Sequence, residues 1–264
     1  MSALAPHASA AAARAGGRDG RDGTDGREEH AHHDEPNGPP ERDGWSRADP
    51  WTRALRTGRG PLFLHRGDGW LLPLEVERWC AEPDAADLTV LARCRGSVLD
   101  IGCGPGRLVG SLAARGVPVL GIDVSAEAVR RTARSGGPAL VRSVFDPLPG
   151  EGRWDTVLLM DGNIGIGGDP AALLARAAGV LAPHGVLLVE AAPHGVPRDL
   201  EEYLDVRLHD GAGAHGAPFP WARLGLAALV RLAEAAGLTA AATWTTAART
   251  FAALTRTADG AGAA

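Results

Sequence analysis

Val98-Leu99-Asp100-Ile101-Gly102-Cys103-Gly104-Pro105-Gly106-Arg107 is the stretch on which the fold turns. An apolar run ends, three glycines follow at alternate positions, and a helical pattern begins at Arg107. Lacking Cβ, glycine lets the backbone turn tightly, so this is a strand, a tight loop and a helix start. The loop offers bare backbone N–H groups to a ligand at the strand's carboxyl end. Downstream the alternation continues. Arg107 to Ala114 reads as helix, stopped at Gly116, and Val117 to Ile122 as a second strand. Ser125 is placed to cap a helix reaching about Arg134. Leu140 to Phe145 and Thr156 to Met160 read as third and fourth strands. Asp169-Pro170, a cap followed by a first-turn proline, opens a helix to about Leu181, before a fifth strand at Val186 to Glu190. A helix over Leu224 to Ala236 precedes two β runs, Leu238 to Thr245 and Arg249 to Thr257, close enough for an antiparallel hairpin. The fold class predicted is α/β, a doubly wound, mostly parallel seven-stranded sheet with a C-terminal antiparallel hairpin and helices on both faces.

Working outward, residues 51–95 read as an N-terminal cap. Leu62 to His65 and Trp70 to Leu74 flank the turn Arg66-Gly67-Asp68-Gly69. A helix starts at Pro83-Asp84, carries Leu88, Leu91 and Ala92 on one side, and ends near Gly96. Residues 96–257 form the main domain. Within it, 191–220 is rich in Pro, His and Gly, with one strand expected around Tyr203 to Leu208; this segment is expected to fold over the site as a lid together with the cap. Residues 258–264 should fray.

Charge separates the tail from the rest. All 27 basic residues are arginine, against 32 acids, for a net charge of −5. Residues 1–50 hold 6 Arg and 10 acids, and of Leu, Ile, Val, Met and Phe only Met1 and Leu4. Such a segment cannot bury enough apolar surface to offset the entropy of ordering, so residues 1–50 are expected to be a disordered, low-complexity tail, dispensable for ligand binding. The near-neutral remainder lacks the basic footprint of a nucleic-acid binder. No apolar run approaches the roughly 20 residues that span a bilayer, and Ala8 and Ala10 to Ala13 are too weakly hydrophobic for a secretory leader. Cys80, Cys94 and Cys103 suggest neither a disulfide framework nor a zinc site, so a reducing, cytoplasmic setting is expected. The cluster His30-Ala31-His32-His33 reads as solvated tail, and no metal is expected.

Two details speak to the ligand of the glycine loop. A dinucleotide fingerprint asks for Gly or Ala three residues after its second glycine, where this chain has Arg107. Asp100, two residues before the first glycine, would face a pyrophosphate unfavourably and suits a cationic ligand. S-adenosylmethionine (SAM), with an ammonium, a sulfonium and no phosphate, is such a ligand. Asp123 lies 21 residues past Gly102 at the tip of the second strand, where a carboxylate can accept from ribose hydroxyls. NAD enzymes share that feature. After the third strand, Asp146 suits an adenine amino group and Phe145 its ring.

Over roughly residues 85–257 the chain resembles the class I SAM-dependent methyltransferases. The resemblance rests on VLDIGCGPGR (98–107), Asp123, Asp146, WDTVLLM (154–160), GVLLVE (185–190) and the closing helix and hairpin, which match the family's reversed seventh strand. It implies SAM as cofactor, with Asp100, Gly102 and Gly104 near the methionine moiety, Asp123 on the ribose, and Phe145 with Asp146 near the adenine. Cys103, Val124 and Met160 are counted with the same site, Cys103 by its type being a small buried filler. The loop after the fourth strand then faces the transferable methyl. Its Asp161-Gly162-Asn163 departs from the Asn/Asp-Pro-Pro-aromatic loop of enzymes that methylate adenine or glutamine amino groups. Together with the missing basic surface, this favours a small-molecule acceptor. Candidates for handling that acceptor are Asp161, Asn163 and His194, with Tyr203, His209 and His215 also in the lid segment. Trp70, Trp79 and Trp221 read as core or as an apolar pocket lining. An NAD(P)-dependent Rossmann oxidoreductase and a non-catalytic SAM-binding module stand as alternatives.

Overall fold

A computed structural model describes residues 49–257. The expected disorder of the tail and fraying of the C-terminus concern residues outside this range, apart from Asp49 and Pro50. Those two are not tail. They open helix α1 (Pro50–Thr57), where the Asp49 carboxylate accepts from the Thr52 N–H at 2.9 Å and Pro50 occupies the first turn.

Strands β1 (Phe63–Arg66) and β2 (Leu71–Pro73) form the expected hairpin, with Leu64 opposite Leu72. The short helix α2 (Val76–Trp79) leads to α3 (Ala85–Leu91), which starts with a reciprocal cap between Asp84 and Asp87. Helix α3 is shorter than its sequence pattern and buries a different face. Ala86, Asp87, Val90 and Leu91 point inward, while Leu88 is 46% exposed. The reason is electrostatic: Asp87 is drawn into the interior by two arginines described below, and this rotates the apolar stripe.

Strand β3 (Val98–Ile101), helix α4 (Arg107–Ala114), strand β4 (Val119–Asp123), helix α5 (Ala126–Arg134) and strand β5 (Ala139–Val141) follow as strand and helix in turn. Next come β6 (Trp154–Leu159), a 3₁₀ turn (Asn163–Gly168), α6 (Pro170–Val180) and β7 (Leu181–Ala191). The last helix, α7 (Leu226–Ala235), and strands β10 (Leu238–Thr246) and β11 (Arg249–Arg256) complete a seven-stranded sheet of order β10-β11-β7-β6-β3-β4-β5. Its five strands from β7 to β5 are parallel, and β11 runs antiparallel to β7. Leu99 and Ile101 face one apolar layer together with α6 and α7, whereas Val98 faces the other, formed with α3, α4 and Phe251. Strand β3 is therefore buried throughout, as a central parallel strand must be. Chain order reverses between β3 and β6, which opens a crevice at their carboxyl ends.

Two segments differ from the sequence reading. The third strand ends at Val141 rather than Phe145, because β5 is an edge strand and its one neighbour, β4, ends at Asp123 opposite Val141. Residues 191–220 are largely regular: β8 (Glu201–His209) and β9 (Ala214–Leu224) pair antiparallel. β8 also pairs with β1, giving a second sheet of order β2-β1-β8-β9. Leu204, Val206 and Leu208 alternate with exposed Asp205 and Arg207 along β8, a period-two pattern. In β9 the pattern is hidden by Pro218 and Pro220, which an edge strand tolerates because one side of it needs no N–H donors. Among the described residues no helix is long and apolar enough to cross a membrane.

Candidate active site

A cavity of about 510 Å³ lies at the carboxyl ends of β3, β4 and β6, beneath the second sheet. Of the residues singled out in the sequence, Asp100, Gly102, Cys103, Gly104, Asp123 and Val124 line it, joined by Met160, Asp161 and Asn163 from the end of β6. Trp79 and Trp221 line it as well.

Others lie elsewhere. Because β5 stops early, the chain turns at Ser143, and it is Arg142, Ser143 and Val144 that reach the cavity. Phe145 is half exposed against Gly167, and the Asp146 carbonyl accepts from Arg176 at 2.7 Å. His194 lines a separate cavity with Pro193, Arg198 and Thr245, and its N–H donates to the Ala248 carbonyl. The Tyr203 hydroxyl donates to Glu201, His215 faces Asp210 at 3.1 Å, and His209 sits among Phe63 and His65. Trp70 lies under Arg66 and Arg223 on the outer sheet.

The cavity floor is held by side chains gripping backbone. Asp123 accepts from the Gly104 N–H at 2.9 Å and the Ser125 N–H at 2.8 Å, tying the glycine loop to the tip of β4. The Asn163 amide donates to the carbonyls of Ile101 and Gly102, both at 2.9 Å. A Cβ at residue 102, where φ is +70°, would lie 2.6 Å from that amide nitrogen, so the first glycine of the loop makes room for the staple as well as for the turn. Asp100 has no such partner. Burial, then the charges of Asp161 and Asp123, push its carboxyl up to about 8. Burial likewise raises Asp123, to about 6, with its two backbone donors pulling the other way.

Asp161 is the opposite case. It sits at φ +56°, its N–H donates to Glu190 at 2.8 Å, and its carboxylate meets Arg107 at 2.6 Å, Arg78 at 2.8 Å and Arg249 at 3.3 Å. Burial alone would raise this carboxyl; Arg107, Arg78 and Arg249 outweigh it and hold the group below the usual carboxylate range. Arg107 and Arg249 also ion-pair with the fully buried Asp87, and Arg249 with Glu190 at 2.7 Å. These arginines, with Asp87 and Glu190, are site residues that sequence reasoning missed. The available signal was a charge inside an apolar pattern: Asp87 in α3, Glu190 at the end of GVLLVE, and Arg107 where a dinucleotide binder has Gly or Ala.

Residues 72–243, more than half of the chain, match the family described as a methyltransferase domain. The chain belongs to this methyltransferase family. It is a class I enzyme, for which SAM is the methyl donor, and not a Rossmann oxidoreductase. No curated protein matches it. Among solved structures, the methyltransferase is similar to a SAM-dependent methyltransferase from Bacteroides fragilis in complex with S-adenosylhomocysteine. Identity is 21%, coverage is 78% of this chain and 92% of that one, and the TM-score is 0.65. The CcbJ methyltransferase from Streptomyces caelestis matches at 19% identity, covering 66% and 88%, with a TM-score of 0.52. A SAM-dependent methyltransferase from Methanosarcina mazei matches at 18%, covering 66% and 97%, with a TM-score of 0.51. At these identities the likeness is one of fold. The cavity of this methyltransferase suits a sulfonium donor in its chemistry: a buried carboxylate without a donor, Asp100, asks for a cation, and beside it the space around Gly104 is open.

Proposed function

We propose that this methyltransferase transfers a methyl group from SAM to a small-molecule acceptor. The observation that carries the reading is the uncompensated Asp100 carboxylate on the floor of a cavity that also presents Asp123 and an open backbone loop. SAM, when bound, supplies an electrophilic methyl on a sulfonium. The chain's residues then bind, orient and exclude water. In this reading Asp100, Gly102 and Gly104 receive the cationic methionine end, and Asp123 accepts from the ribose while fixing the Gly104 N–H. Cys103, Val124 and Met160 supply apolar contact, and Ser143 and Val144 take the adenine side first assigned to Phe145 and Asp146. Asn163 and Asp161 are positioning residues: one staples the loop, and the other is already neutralised by arginine and is a poor proton acceptor. With Asp161 held by arginines and Asp100 and Asp123 given to the donor, this reading favours an acceptor whose own lone pair attacks. The cysteines at 80, 94 and 103 are free, which fits a cytoplasmic location.

Isothermal titration with SAM and with S-adenosylhomocysteine tests the proposal. Micromolar binding is expected, and absence of binding to both overturns it. Asp123→Ala should weaken binding about tenfold or more while the circular dichroism stays native. Incubation with labelled SAM and a small-molecule extract, read by mass spectrometry, identifies the acceptor.

A further inference from the structure

The cavity is chemically divided. Its floor carries the carboxylates and backbone groups described above; its roof, formed by α2, the residue after β2 and the second sheet, is apolar apart from indole N–H groups, of which Trp79 Nε1 is buried without a hydrogen-bond partner among the described residues. Leu64, Leu74, Trp79, Leu208, Phe219 and Trp221 line it, and none carries a charge. The rings are fixed by neighbours. Phe219 and Trp221 stand edge to face at 6.4 Å, and Trp79 packs against Trp51 at 5.6 Å. Strand β9 is pressed onto the 3₁₀ turn so closely that a Cβ at residue 165 would lie 2.7 Å from the Trp221 indole and 2.3 Å from the Ala222 carbonyl. A Cβ at residue 168 would lie 2.5 Å from Pro220. The glycine-rich run Gly162 to Gly168 thus allows Trp221 to be lowered onto the active-site loop. The Asp161 carboxylate, which lines the same cavity, is already shared among three arginines, one of them Arg78 beside Trp79.

Resting on the function proposed above, we infer that the roof is the acceptor subsite and that it takes an uncharged aromatic molecule. A charged acceptor would lose its hydration against the roof's side chains and find no counter-charge among them. An aromatic ring finds edges and faces of Trp79, Phe219 and Trp221 to pack against.

The test uses the full chain saturated with S-adenosylhomocysteine, so that the donor half is filled, and the neutral fluorophore N-phenyl-1-naphthylamine as probe. Saturable binding with energy transfer from tryptophan is expected. 1-Naphthylmethylammonium and 2-naphthoate should compete at least tenfold more weakly than neutral naphthalene derivatives. Trp221→Ala should weaken the probe at least tenfold and leave S-adenosylhomocysteine affinity within twofold, while Trp70→Ala, outside the cavity, changes neither. Absence of saturable probe binding, or charged competitors as good as neutral ones, overturns the inference without any variant having to fold. Failure of S-adenosylhomocysteine itself to bind would instead overturn the functional reading beneath it.

Discussion

At Asp100 binding and stability pull apart. Its folded carboxyl titrates near 8, far above an unfolded aspartate. A raised acid contributes most below the unfolded value near 4, and that contribution is lost as pH climbs towards 8. The ligand-free enzyme should therefore lose stability across that window. Asp100→Asn should remove the loss, so that the variant gains on the order of 4 kcal/mol over the parent between pH 5 and pH 8. Thermal melts at the two pH values check this. A cationic donor needs the carboxylate, so its binding expels a proton: SAM affinity should rise up to tenfold per unit between about pH 6 and pH 8, then level off, and in Asp100→Asn should be weak and flat. Asp100 and Asp123 were legible because a strand, a glycine loop and a second strand fix where a carboxylate must fall. The work done by Asp161 and Asn163 was not. Sequence places them near the methyl position, but their partners come from residues 78, 107 and 249 and from the backbone of 101 and 102, which only the tertiary fold brings together.

Among the elements, the arginine network joins α2, α3, α4, β7 and β11 behind the loop that follows β6. Arg249→Leu would leave Asp87 and Glu190 buried with less counter-charge, and a loss of about 3–5 kcal/mol is expected in denaturant unfolding. Gly165→Ala drives a methyl into the Ala222 carbonyl and the Trp221 ring; a cost of about 1–3 kcal/mol and a shifted tryptophan emission are expected. Central strands were readable from apolar runs alone, since β3 and β6 are enclosed and have room for little else. Edges were not. β5 ends where its neighbour ends, β9 carries two prolines, and α3 turns towards a buried ion pair, each set by a partner distant in sequence.

At the scale of the molecule, every described residue that lines the cavity lies from Trp51 onward, and Asp49 caps the first helix. A chain beginning at Arg42 should bind SAM within twofold of the full protein by titration, whereas one beginning at Trp51 loses that cap and should be about 1 kcal/mol less stable. The sheet over the cavity has a further consequence. Leu64 of its first hairpin pairs with Leu208, and strands β3 to β7 with their helices and loops lie between them in the chain. Closing so long a loop is slow unless the intervening chain is already compact. On a ribosome the first hairpin emerges early and waits, partnerless, until β8 is synthesised. The two halves are thus interlocked in chain order, since α7, β10 and β11 of the donor half follow β8 and β9; in refolding, S-adenosylhomocysteine binding and aromatic-probe binding should recover together.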